Sequence, residues 1–398
     1  MMEPAHAGSA SPRAFLRLGG ATLAHHQLVI ALAAGCERII CVGRALDSDM
    51  VALQHEAERA GARFHMISGP RALSGLITAN DELLVFSDGL VPSSAEALDL
   101  IGQTPSVLVL PAESAVPLGF ERIDLNLAGA GLMLLPGRLV ERLNELSADS
   151  EPASALLRIA LQAGITQRSV PQSIAAGGRW LLVRDEDQAH AAEMDWMERH
   201  TTGLGKSPGL AIASFGVRSF GPALLHAGSN GRVLALSAVL LTAIAAGFGW
   251  FEFYATALGL CTPAWLLHRA ANIIEKIQCE ALGKRPGFLA GEAPFNWLLD
   301  AVIGVLLLAA IPFVPGETWW DRAFTPFMLF GLLQLVPRII GGRWADWLTD
   351  RMLLALLLCG LSLGQVLQFG VPGLACLLLL AAVFVPRLHS RADGITRA

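Results

Sequence analysis

From Arg232 onward the chain is a succession of hydrophobic segments whose positive charges collect on alternate sides of them. Few environments other than a lipid bilayer accept such a half-chain. The segments divide into six spans at about 232–249, 252–267, 295–315, 322–341, 352–369 and 371–386, each near the roughly 20 apolar residues that a bilayer core requires. The connection after the second span carries Arg269, Lys276, Lys284 and Arg285, the one after the fourth Arg338, Arg343 and Arg351, and the tail Arg387, Arg391 and Arg397. The opposite connections carry only Arg322. Because Lys and Arg are retained on the cytoplasmic side, this bias predicts a multi-pass protein of a bacterial-type inner (cytoplasmic) membrane with both termini cytoplasmic. A soluble helical bundle fits less well, since Leu353–Leu358 and Leu377–Val385 offer no polar face. Trp319–Trp320 at one boundary and Trp344 and Trp347 at the other are placed as aromatic belts are.

Composition separates this half from the one before it. The whole chain is 53% hydrophobic with a mean hydropathy of +0.51, yet most of its 34 acidic residues lie in the first 200 positions. A water-soluble domain is therefore fused to a very apolar one. The net charge of −5 argues against nucleic acid as a partner. Met1–Pro12 has no apolar core of the signal-peptide kind, so the first domain is expected to stay unexported. The six cysteines show neither a CxxC pair nor Cys/His ligand spacing and read as packing residues in a reducing compartment.

The soluble half alternates strand and helix. Arg38–Gly43, Glu82–Ser87 and Ser106–Leu110 are β-rich runs, with Arg63–Ile67 as a further edge, while Leu23–Ala34, Asp49–Ala60 and Ala95–Ile101 have helical spacing. Such alternation predicts an α/β domain with a mostly parallel sheet and ligands beyond the carboxyl ends of the strands, here Gly43–Arg44 and Ser87–Asp88–Gly89. Asp88 has two readings, a site carboxylate or the Asp of an ordinary Ser-Asp-Gly turn. His25 and His26, adjacent on a helix, lack the i, i+4 geometry for sharing a metal and read as a partly exposed helix face. Arg17 suits a phosphate or a solvated loop.

Phe15–Leu23 (FLRLGGATL), a helix, and Gly35–Val42 (GCERIICV) resemble the nucleotidyltransferase fold of the sugar-nucleotide and molybdenum-cofactor guanylyltransferase type. The resemblance covers about residues 13–200 and implies nucleotide or phosphate contacts from Arg17, Gly19 and Gly20. Asp88 matches that family's metal-holding aspartate, and Trp180–Asp187 resembles its closing segment. The family's opening glycine-rich loop, whose backbone amides surround the triphosphate, has no counterpart before Phe15. Ala31–Gly35 echoes it at the end of a helix, the reverse of the required context.

A nucleotidyltransferase-like domain followed by six spans is similar to fused enzymes that make a CDP-activated polyol and then transfer it. In the CDP-alcohol phosphotransferase family, DxxDGxxAR followed by GxxxDxxxD supplies four carboxylates for two divalent metals. Laid on this chain, Cys261 and Ala264 stand at two metal-binding positions, Trp265 at the glycine, and Arg269 alone matches in the first half. In the second, Glu292 replaces the glycine, Asn296 an aspartate, and Asp300 is in place. One carboxylate and one amide cannot hold two Mg²⁺ ions against hydration, so no metal ligands are assigned. Asp300 becomes the candidate catalytic residue, with Arg269 and Asn296 as candidate binding residues. An ionisable group within a span is a functional candidate, and here pairing with Arg269 or Lys276 competes with ligand contact. Glu252 reads as interfacial.

This organisation gives a nucleotidyltransferase-like domain over 1–200, a linker with an interfacial amphipathic helix (Leu210–Ala227) over 201–231, and an all-α six-span bundle over 232–398, with Asn272–Leu282 as a second amphipathic stretch. Three functions compete. The first is a catalytically degenerate relative, partnering or regulating an active CDP-alcohol phosphotransferase in phospholipid or polyol-phosphate headgroup synthesis. It would contact membrane lipid and form a homodimer or a complex with the active enzyme. The second is a divergent living enzyme, the one reading that needs Mg²⁺. The third, a transporter with a cytoplasmic sensing domain, predicts polar residues spread through several spans, whereas Gln334, Gln365 and Gln368 nearly exhaust them beside Asp300.

Overall fold

The computed structural model describes residues 12–43, 47–145, 151–202, 207–226, 231–282, 292–312, 316, 318–340 and 342–395. Arg44, Lys284, Arg285 and Arg397 lie outside them. The chain divides into two compact units, one running to Trp196 and the other beginning at Met197.

In the first unit, short apolar runs closed by turn formers become strands, and the helices between them start where a side chain can take the orphan amides of the first turn. Thr22 accepts from the His25 amide at 3.3 Å to open α1 (Leu23–Ala33), and Asp47 accepts from the Met50 amide at 2.8 Å to open α2 (Ser48–Arg59). The remaining helices of this half are α3 (Ser94–Ile101), α4 (Ala112–Ala115), α5 (Pro152–Gln162), α6 (Gln172–Ala176) and α7 (Glu186–Thr201).

The strands are β1 (Arg17–Leu18), β2 (Ala21–Thr22), β3 (Arg38–Val42), β4 (Arg63–Ile67), β5 (Glu82–Phe86), β6 (Leu90–Pro92), β7 (Ser106–Pro111), β8 (Leu127–Pro136), β9 (Thr166–Ser169) and β10 (Trp180–Leu182). Their pairing is mixed, not mostly parallel. One sheet has the order β5-β8-β7-β9, with β8 antiparallel to both β5 and β7, and β9 parallel to β7. A separate parallel pair joins β3 to β4, while β1–β2 and β6–β10 are antiparallel. The expectation fails because β8, a strand not anticipated from the sequence, runs antiparallel between β5 and β7. Alternation along β7 and β8 sends Leu108, Leu110, Leu132 and Leu134 to one core and Val107, Val109, Met133 and Leu135 to another on the opposite face.

The second unit is helical: α8 (Pro208–His226), α9 (Gly231–Trp250), α10 (Tyr254–Leu282), α11 (Glu292–Ala310), α12 (Trp319–Ile340), α13 (Gly342–Thr349), α14 (Arg351–Leu363) and α15 (Leu367–Ile395). Four of these, α9, α11, α12 and α15, are long and apolar enough to cross a membrane, and no more than 28% of any such stretch is buried within the protein. Leu236, Leu240, Val305, Phe327 and Leu377 lie on the exposed faces, which lipid, not water, can cover. The C-terminal half thus has the helices of a membrane protein.

The six-span expectation meets two differences. The fifth expected span, 352–369, is broken at Gly364 and Gln365, where Gln365 takes a positive φ of 54°. That leaves α14 with 13 residues, about 20 Å at 1.5 Å per residue, short of the ~30 Å hydrocarbon core. The second expected span is part of a 29-residue helix that continues through Arg269 and Lys276. Those two residues therefore stand on a helix, not in a connection, and Asn272–Leu282 is its continuation, not a separate stretch.

Candidate functional site

The inner face of α10 is set by residues four and three apart. Cys261, Trp265, His268, Asn272 and Glu275 recur at the spacing that keeps one stripe facing inward, and all five are buried. Below Cys261 that stripe is aromatic and polar, which is costly in a bilayer-sized core unless each group finds a partner. His268 stacks on Phe295 of α11, with ring centroids 3.9 Å apart and an interplanar angle of 15°. The Arg269 guanidinium lies over the Trp265 ring, 5.1 Å from its centroid. Asn272, 3% exposed, has neither amide atom hydrogen-bonded, and the Trp265 indole Nε1 is likewise without a partner.

Asp300 on α11 is held by a residue that sequence reasoning assigned to a connection. Arg351 donates from Nε to Oδ1 at 2.8 Å and from Nη2 to Oδ2 at 2.9 Å, a two-pronged fit of guanidinium to carboxylate. Gln334 of α12 adds a 3.5 Å contact to Oδ2. The expected pairing with Arg269 or Lys276 is thereby corrected: both belong to α10, where Arg269 is occupied with Trp265 and Lys276 is exposed. Arg351, 4% exposed, is the first residue of α14, so it drops out of the charge count for the connections.

Its neighbour Asp350 joins two helices. Oδ1 accepts from the amides of Met352 and Leu353 at 3.0 and 3.4 Å, capping α14, while Oδ2 accepts from the Gly209 amide at 2.7 Å at the start of α8. An Asp immediately before the apolar run of α14 is a helix-start signal in the sequence, and assigning Arg351 to the connection passes over it. Asn296 lies one turn before Asp300 on α11 and is partly exposed. The positions where the resemblance calls for metal-binding carboxylates are the fully buried Cys261 and Ala264, and Trp265, 1% exposed, fills the glycine position.

The candidates of the first unit do not converge. Arg17, Gly19 and Gly20 form the β1–β2 hairpin, whose tip takes φ of 63° and 82° at the two glycines, and the Gly19 amide is already given to the buried Glu193 carboxylate at 3.1 Å. Arg17 is exposed. Asp88 lies elsewhere, on a 240 Å³ cavity lined by Arg13, Ser87, Glu121, Glu151 and Arg184 and also on a larger one of 790 Å³, neither of which includes the hairpin. Ligand pockets run to roughly 300–1,000 Å³, so the smaller cavity is tight for a nucleotide and the larger one falls within that range. The Ser87–Gly89 turn is pinned by Gln27, whose Nε2 donates to the carbonyls of Ser87 and Leu90 at 3.0 and 2.9 Å.

His25 and His26 are buried, not on an exposed face, and turn to different groups: His25 Nδ1 is 3.0 Å from Glu56, and His26 Nε2 is 3.0 Å from the Leu18 carbonyl. Burial pushes the Cys41 thiol up to about 12. Asp81 is held below the usual carboxylate range by the Thr78 amide, with Arg38 assisting. Among the described residues no group of three or more His, Cys, Asp or Glu side chains is arranged to hold a metal ion. Comparison of the sequence with protein-family models and with curated proteins finds no match.

Proposed function

We propose that this chain is a bacterial-type inner-membrane protein related to the CDP-alcohol phosphotransferases that has exchanged the chemistry of its membrane site for structural contacts. Both termini face the cytoplasm, and the chain acts as partner or regulator of an active enzyme of headgroup synthesis. One observation carries the reading: both oxygens of Asp300 are engaged by Arg351. A carboxylate that is to deprotonate an attacking hydroxyl must offer an oxygen to it, and this one offers a fork-shaped ion pair instead. Cys261 and Ala264 support it from the other side, since a buried thiol and a methyl group cannot replace two carboxylates for hard divalent cations. The polar stripe of α10, with the unsatisfied Asn272 amide, is where a lipid headgroup would be recognised.

The test is turnover by the purified protein in lipid nanodiscs, given Mg²⁺, a CDP-alcohol lipid donor and a polyol-phosphate acceptor. The expected result is product at the protein-free background. Product formation that disappears in Asp300→Ala establishes the living-enzyme reading instead.

A further inference from the structure

The two halves of the α/β unit's strand system face each other across an open slot. β3 is paired with β4 on one edge, β5 with β8 on one edge, and among the described residues neither strand has a backbone partner on its other edge. Between those edges lies a cavity of 790 Å³, lined along its length by Arg38–Val42 and by Glu82–Phe86. Residues of α1, Ala24, Leu28 and Ala31 among them, lie along it together with Leu73, Leu134 and Leu156. The slot therefore has backbone edges at its sides and a mixed wall, apolar along α1 and at Leu73, Leu134 and Leu156, and polar at Gln27, Asp88, Gln103 and Glu151.

Burial supports the same view. In β7, which has neighbours on both edges, Ser106–Leu110 are all buried. Leu83, Leu84, Val85 and Phe86 of β5, and Ile39, Ile40 and Val42 of β3, are as apolar but only partly buried. Exposed edges carrying apolar side chains are the usual template for an added strand. A five-residue strand at ~3.3 Å per residue, ~4.8 Å wide and ~10 Å thick takes up roughly 800 Å³, the size of this cavity.

We infer that the slot between β3 and β5 accepts one extended apolar strand donated by a partner protein, completing the sheet from within. A peptide backbone is the ligand whose donors and acceptors, at the strand repeat, match two facing edges at once. The apolar part of the wall, Leu28, Leu73, Leu134 and Leu156 among it, favours a segment with large apolar side chains, as β7 has. The inference stands on the α/β unit alone and is independent of the function proposed for the membrane half.

The probe is a peptide of β7's own sequence, SVLVL, flanked by lysines, with a control carrying proline at its centre. It is added to the full-length protein in nanodiscs and read by amide hydrogen exchange. The expected result is exchange slowed tenfold or more in both Arg38–Val42 and Glu82–Phe86 by SVLVL, with no slowing by the control and none in Ser106–Pro111. Leu84→Lys, which puts a charge on a partly exposed wall, should abolish the effect while leaving exchange in β7 unchanged. No slowing in either strand overturns the inference. So does protection of both strands, without peptide, as complete as that of β7. Protection present without peptide and lost on deleting residues 1–11 also overturns it, by assigning the slot to the chain's own segment.

Discussion

Removing the Arg351 side chain while keeping Asp300 leaves a carboxylate, 11% exposed, without its counter-ion. Breaking one side of such a pair costs about 3–5 kcal/mol, whereas replacing both partners by apolar groups of similar size is near neutral. Arg351→Met should therefore lower the thermal unfolding midpoint in detergent sharply, and Asp300→Leu combined with Arg351→Met should recover most of the loss. A single variant as stable as the parent would show that the pair holds nothing together. Asn272 works in the opposite sense: its amide is buried and unsatisfied, so Asn272→Leu should be neutral or stabilising by about 1–2 kcal/mol in the same assay. In the α/β unit, the Cys41 thiol, raised to about 12, should resist maleimide at pH 8 in the native protein and react on unfolding. Asp81 titrates the other way. Its folded pKa is depressed, so its contribution is present above the ordinary carboxylate pKa of 3.8 and is lost as pH falls through the lower folded value. Asp81→Asn should flatten the acid side of the stability profile below about pH 4, weakly and less so in high salt, because Asp81 is partly exposed and its ion pair with Arg38 is screened.

Gly209 shows what a helix junction asks of one position. A Cβ placed there would lie 2.5 Å from Asp350 Oδ1 and 2.7 Å from the Trp265 ring, so α8 can approach both only without a side chain. Gly209→Ala should cost about 1–3 kcal/mol through forced displacement, seen as a lower unfolding midpoint and faster proteolysis between α7 and α8. Element by element, legibility followed local signal. The runs at 38–43, 63–67, 82–87 and 106–110 became β3, β4, β5 and β7 because their apolar residues are contiguous and their ends are marked by turn formers. The 127–136 stretch was not read as a strand because its glycines, with Gly131 at a positive φ, obscure the β pattern. That one strand turns an expected parallel sheet into a mixed one. In the membrane half the Asp300 position was readable as a buried charge, but its partner was not, since ion pairing across 51 residues is decided by packing and leaves no local trace.

At the scale of the molecule, α10 and α14 decide how many helices cross the bilayer. α10 falls outside the set of four because its charged and polar residues lower its hydropathy, yet His268, Asn272 and Glu275 are buried and present nothing to lipid. Groups turned inward, away from the lipid, add less to the cost of crossing than groups facing it, so α10 should span despite its composition and the unsatisfied Asn272 amide. α14 is short, but its N-cap Asp350 and first residue Arg351 are also buried in protein contacts, and local bilayer thinning accommodates a mismatch at fractions of a kcal/mol per Å. Reporter fusions along the chain distinguish the alternatives. If six helices cross, an alkaline phosphatase reporter should be active after Glu252 and after Gly316, and a fluorescent-protein reporter should be bright after Lys284, after Gly341 and at the C-terminus. If only α9, α11, α12 and α15 cross, the Glu252 and Lys284 fusions report the same side. The C-terminus returns to the side of Gly231 in either case, because both numbers of crossings are even. The pair of fusions flanking α10 is therefore the decisive measurement, and we expect it to place them on opposite sides.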